Sequence, residues 1–224
     1  MNSMMKNWWW KILGAVLLVY VCIFGLVGEV PRQPILNETI RNVYFHVPMW
    51  FAMMVLMTIS MLRSIQYLRS NNVDFDHQAI AFAGTAFFFG LIGFATGAIW
   101  GNFTWGSPLP LDPKLIAVEV GLLLYAAYFV LRGSFEDEQK KARLSAVYNI
   151  FAFAAFMPLV WILPRLTDSL HPGNGGNPAF GKYDMDSQMR MVFYPACVAW
   201  ILIGIWIGSL KARLVKLEYL KKEI

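Results

Sequence analysis

The sequence predicts an all-α integral membrane protein, a bundle of six transmembrane helices, on three observations. Of its 224 residues 58% are hydrophobic and 16% aromatic, too apolar for the surface of a soluble domain of that size. Several apolar runs approach the roughly 20 residues that cross a hydrocarbon core about 30 Å thick, which fits helices rather than the short alternating strands of a barrel. The lysines and arginines gather in the connections beside those runs, so the net charge of +5 reflects membrane topology and not nucleic-acid binding.

The first span, about 8–29, follows Lys6 and Lys11 and ends in "GEVPRQP". No small-residue cleavage site follows its apolar run, so it is expected to stay as an uncleaved span. The second, about 42–63, opens with "RNVYFHVPMWFAMM". Helical spacing sets His46, Trp50, Met53, Met57 and Met61 on one stripe that faces protein. The third, about 79–100, leads into Gly101 and carries Gly90, Gly93 and Gly97. Small residues at that spacing let helices approach closely, or open a groove to a flat ligand.

Asp112 and Pro113 form an N-cap and a first-turn proline for the fourth span, about 115–131. Within that span Glu119 is a carboxylate at membrane depth, with Arg190 a candidate partner. The fifth span, about 146–164, follows "GSFEDEQKKARL", read as a solvated loop. The sixth, about 188–209, precedes a basic tail over 210–224, read as an amphipathic helix on the inner membrane surface. Residues 1–224 make a single domain. Cys22 and Cys197 lie in different spans without a CxxC or CxxCH pattern and are read as buried thiols.

Charge then orients the bundle. With the N-terminus in the cytoplasm, that side collects Lys6, Lys11, Arg63, Arg69, Arg132, Lys140, Lys141, Arg143, Lys211, Arg213, Lys216, Lys221 and Lys222. The other side holds Arg32, Arg41, Lys114, Arg165 and Lys182, so both termini are expected to be cytoplasmic. Two external segments follow: 100–114, containing "WGNFTWGSPLPLD", and 165–187, containing His171. Glycines and prolines in the first argue against a regular helix.

The chain has three histidines. His77, after Asp74 and Asp76, is expected to be an ordinary solvated residue on the cytoplasmic side. His46 and His171 fall on the external side. Each alone reads as an interfacial or turn histidine; together they can converge on one site, and neutral imidazole is the usual ligand of haem iron. Trp100 and Trp105 suit the flat faces of a porphyrin, though tryptophan also anchors membrane interfaces. Gly101 and Gly106 allow close backbone approach, and any of the five external cations could meet a propionate.

"NVYFHVPMW", "TGAIWGNFTWGSPLPLDPKL" and "LPRLTDSLHPG" resemble the cytochrome c maturation protein C family (CcmC), within a broader group of cytochrome c biogenesis membrane proteins with a tryptophan-rich external loop. The similarity runs through most of the six spans in order. It implies His46 and His171 as axial ligands of a transient, non-covalently bound haem b, under a loop of Trp100, Gly101, Trp105, Gly106 and Asp112. It also implies a bacterial inner-membrane setting in which haem is passed to a haem chaperone. Further implied partners are ABC-type ATPase and permease subunits and a small single-span membrane protein. The match departs at Ser107-Pro108-Leu109-Pro110-Leu111, where the family has more tryptophans. Stacking there would fall to Phe103, Tyr44 or Phe45.

No nucleophile or acid–base pair stands out, and HExxH is absent, so the reading is non-enzymatic: haem is bound, presented and released. A membrane cytochrome b that transfers electrons is the first alternative. A haem-transporting permease is the second, although the chain has no GxxxxGK[ST] motif of its own to drive it.

Overall fold

A computed structural model describes residues 8–32, 34–171 and 185–222. Its long helices are α1 (Trp9–Val27), α2 (Val43–Ser70), α3 (Val73–Trp105), α4 (Pro113–Gly133), α5 (Glu138–Met157) and α6 (Ser187–Lys222). A short 3-10 helix, Asn37–Asn42, leads into α2, and a π-helical turn, Pro158–Ile162, extends α5. All six are long and apolar enough to cross a membrane.

Local chemistry sets the turns. Asn71 adopts a left-handed φ of 52° and returns its N–H to the Tyr67 carbonyl, while the Asn72 side chain caps α3 through the Asp74 N–H. Two adjacent asparagines thus close the tight α2–α3 hairpin. Asp112 caps α4 as expected, with Pro113 in its first turn, and Asp137 caps α5 through the Lys140 N–H.

Helix α2 is the hub. Met49, Met53, Leu56 and Met57 pack with Phe82 and Phe89 of α3, Leu122 and Tyr125 of α4, and Phe156 of α5. Its other side meets Val21 of α1 and Met189, Phe193 and Ala196 of α6 through Tyr44. The methionine stripe therefore faces protein. Glycine makes the α2–α3 contact close: a Cβ at Gly90 would stand 2.7 Å from Met53 Sδ, and one at Gly93 2.9 Å from the Trp50 ring.

Several boundaries differ from the sequence reading. Residues 100–105 are the last turns of α3, not loop; the chain breaks at Gly106, whose φ of 72° is left-handed. Glycine inside a helix costs only about 1 kcal/mol, and Gly101 packs against the Trp105 ring, so it does not stop the helix. The supposed solvated loop before α5 is helical from Glu138, and the basic tail is no separate surface helix but the continuation of α6 to Lys222. Residues 172–184 of the second segment expected to be external, with Lys182, lie outside the described residues.

That continuation of α6 also overturns the reading of His77. Its residue is only 6% exposed, because Tyr219 lies against the ring with centroids 4.9 Å apart, and Lys216 pairs with Asp74 at 2.9 Å. Beside it Asp76 and Arg132 form a two-pronged ion pair, 2.8 and 2.6 Å, that joins α3 to α4. Glu119 makes no ion pair with Arg190 among the described residues. Cys22 and Cys197 are free, half-buried thiols.

Candidate functional site

At the end of the bundle opposite the start of α1 and the end of α6, a cavity of about 390 Å³ opens between α2, α3, the start of α4 and the π-helical turn. His46, Trp100, Gly101, Trp105 and His171 all line it. Residues 125 positions apart in the chain therefore face one space, the juxtaposition on which the reading of two histidines depended.

His46 is held by α3. A Cβ at Gly97 would stand 2.6 Å from His46 Cε1, so the ring occupies room that only glycine leaves. Its Nδ1 lies 3.2 Å from Thr96 Oγ1. That hydroxyl donates its one proton to the Ile92 or Gly93 carbonyl, at 2.9 and 3.0 Å, and so can only accept from His46. The proton therefore sits on Nδ1. Nε2 keeps its lone pair and meets the Trp50 indole N–H at a long 3.4 Å.

His171 reaches the same protonation pattern by a different route. Asp112 is 1% exposed and accepts from the N–H groups of Lys114, Leu115 and Leu170, from Ser169 Oγ and from His171 Nδ1, the last at 3.2 Å. Burial by itself would raise this carboxyl; the Leu170 N–H, Ser169, His171 and the Lys114 N–H overcome it and hold the group below its ordinary range. An ionised carboxylate can only accept, so His171 also carries its proton on Nδ1. Burial, with Lys114 adding to the effect and Asp112 opposing it, pushes the His171 imidazole down to about 4. The ring is neutral near pH 7, with Nε2 as its basic nitrogen.

The walls are aromatic. Trp105 lies edge-on to His171 at 4.7 Å between centroids, and Trp100 and Trp50 edge-on to His46 at 5.9 and 6.1 Å. Trp100 also donates its indole N–H to Thr39 Oγ1 at 3.2 Å, tying the 3-10 helix to α3. Gly106 and Asp112 do not line the cavity: Gly106 turns the chain, and Asp112 acts through His171.

The substitute aromatics expected from the sequence are elsewhere. Phe103 is 68% exposed, Tyr44 is buried in the α1–α2–α6 core, and Phe45 packs beside Gly25. Their place is taken by Trp50, Phe51, Phe94 and Trp161. Trp161 points inward from the π-helical turn, a distortion often found at functional sites, and its indole contacts Met54 Sδ. Of the five cations expected near a propionate, Lys114 lines the cavity. Arg41 is instead bound to Glu38 and to the Gly25 and Gly28 carbonyls. Arg32 does not border the cavity, the Arg165 side chain is not among those described, and Lys182 was noted above.

Among the described residues no cluster of three or more histidine, cysteine or carboxylate groups could enclose a bare metal ion. Two imidazole nitrogens between aromatic walls instead fit an iron that brings its other four ligands with it, and a cationic ammonium at the rim fits an acidic edge.

Fold and cavity together define a six-helix polytopic membrane protein with a histidine-lined site at one end. A family model described as heme exporter protein C matches residues 1–223, and the chain belongs to that family. It is 25% identical over 213 residues to heme exporter protein C of Paracoccus denitrificans, covering 91% of this chain and 84% of that one. The corresponding Rhodobacter capsulatus protein is 25% identical over 173 residues, covering 74% and 68%. Cytochrome c biogenesis protein CcsA of Prochlorococcus marinus is 32% identical over 98 residues, and the chain covers only 30% of that longer protein.

Proposed function

We propose that this chain handles haem in cytochrome c maturation, as the names of its relatives indicate for them, by binding and presenting it rather than by catalysing a reaction. The observation that carries this reading is the pair of histidines lining one cavity, each with Nδ1 engaged and Nε2 as the basic nitrogen. Haem iron would be held by His46 and His171 through Nε2, and haem b, having no covalent tether here, would be free to leave. Thr96 and Asp112 fix the two rings and their proton positions, as second partners of ligating imidazoles commonly do. Trp100, Trp105, Trp50 and Trp161 would cover the macrocycle, and Lys114 is the candidate for a propionate.

The two supports also suggest how release works. His46 stands on packed helices, whereas His171 follows α5 on a segment that docks through hydrogen bonds to the Asp112 carboxylate, so the second ligand is the one a haem chaperone would displace. In this reading an ABC-type ATPase and permease, with a small single-span protein, complete the system. The crowding of lysine and arginine at the end where α1 begins and α6 finishes supports reading that end as cytoplasmic and the cavity as lying at the periplasmic face of a bacterial inner membrane.

Absorption spectra of purified wild type, His46→Ala and His171→Ala in both redox states test the assignment. Each variant should lose the six-coordinate low-spin signature while remaining folded; a wild-type spectrum in either variant would refute bis-histidine ligation.

A further inference from the structure

The opposite end of the bundle carries a second cleft, built from different chemistry. Between the start of α1 and the late turns of α6, Trp10, Lys11, Trp206, Ser209, Leu210 and Arg213 line a space of about 290 Å³. No carboxylate is among them. The Lys11 ammonium sits over three indoles, 4.7 Å from Trp8 and 5.6 Å from both Trp10 and Trp206. Such contacts fix a flexible cation in place without neutralising it. Among the described residues neither Lys11 nor Arg213 has a carboxylate partner.

Two positive charges converging on one cleft call for an anion, and the surroundings decide which kind. Both walls are membrane-spanning helices, and α1 buries little of itself against the bundle. On the same two helices, Leu13 and Ile207 beside the cleft are 40% and 37% exposed, and Leu210 in its lining is 46% exposed. Tryptophans flanking the cleft suit the headgroup layer, and basic pockets between spans on the cytoplasmic side are a recognised way to hold acidic headgroups. A soluble anion would satisfy the charges but leave the apolar strip bare; a phospholipid satisfies both.

We propose that this cleft is a binding site for the phosphate headgroup of an anionic phospholipid, held by Lys11 and Arg213, with its acyl chains along the outer faces of α1 and α6. Ser209 takes no part as a donor, since its hydroxyl already donates to the Ile205 carbonyl.

Native mass spectrometry of the detergent-purified full chain, titrated with phosphatidylglycerol, phosphatidylcholine or glycerol 3-phosphate, tests this. Wild type and the charge-conserving K11R/R213K should bind phosphatidylglycerol about tenfold more tightly than phosphatidylcholine. K11Q/R213Q should lose that preference while unfolding at the wild-type temperature in lipid-free detergent. Should that variant misfold, Leu210→Glu, which sets a carboxylate in the cleft at an exposed position, should lose it instead. A wild-type preference retained in K11Q/R213Q or in Leu210→Glu, or no preference in wild type, overturns the site. Glycerol 3-phosphate binding as tightly as phosphatidylglycerol overturns the lipid assignment in favour of a soluble phosphate.

Discussion

In the half of the bundle where α1 begins and α6 finishes, Asp76 meets Arg132 through two short hydrogen bonds, and Asn149 joins Ser60 and Ser64 across α5 and α2. At the other end His46 and His171 are each tied through Nδ1, at 3.2 Å, and both residues line a cavity. The first arrangement pairs charge with charge and locks helices together. The second fixes an imidazole through one nitrogen on the lining of a cavity, and the other nitrogen of His46 meets the Trp50 indole N–H at a long 3.4 Å. Buried polar groups of similar kinds thus lock helices in one half and line a cavity in the other, and the difference lies in how fully their last lone pairs are engaged.

The sharpest way to break this comparison is at the closed end. Asp76→Ala leaves the Arg132 side chain, 14% exposed, without its counter-ion. Removing one partner of a buried pair typically costs about 3–5 kcal/mol. Thermal unfolding in detergent should fall accordingly, while any protein that remains folded keeps the wild-type haem spectrum. A spectrum altered along with stability would mean that the two ends are coupled rather than distinct.

Acid should then separate the two walls of the cavity. An unfolded histidine takes its proton near 6.5, whereas docked His171 resists until about 4. Between those values the undocked segment binds the proton and the docked one does not. Docking is therefore at full strength above pH 6.5 and weakens as pH falls toward 4, by about 3 kcal/mol at the lower limit. Hydrogen exchange should show residues 166–171 opening over that range before α2 does. Simultaneous opening of both, or none, would remove the contrast between a loop wall and a helical wall.

The His46 wall can be weakened alone. Thr96→Val keeps the shape but removes the hydroxyl that accepts from the Nδ1–H, a loss of about 1–2 kcal/mol. Haem affinity should fall by roughly tenfold or more, as measured by spectral titration, with the His171 segment unchanged in exchange.

How far these features could be read in advance depends on their range. The six apolar runs fixed the number of helices, and Asp112-Pro113 marked the start of α4, because composition and capping are local. The ends of α3, α5 and α6 were not legible: Gly101 is tolerated through its contact with Trp105, and the tail stays helical where Tyr219 and Lys216 lie against α3. The same tertiary contact buries His77, which its acidic neighbours made look solvated. In the site, His46, His171 and the two glycine-flanked tryptophans stood out by type. Thr96 did not, since nothing in a threonine fifty residues away announces that it will orient an imidazole. Trp161 had one signal, a tryptophan between Pro158 and Pro164 where α5 must distort.

Trp50 offers the finest adjustment. One turn from His46, its indole N–H reaches Nε2, the nitrogen that would have to take the iron, at 3.4 Å. At that length the bond is weak, and a metal and an indole proton cannot share one lone pair. Trp50→Phe keeps an aromatic ring against Gly93 and removes the competitor. Losing a hydrogen bond that ligation must break should strengthen haem binding by about 1 kcal/mol, roughly fivefold. If haem affinity falls instead, Trp50 acts as a wall whose extra ring area outweighs its competition for His46 Nε2.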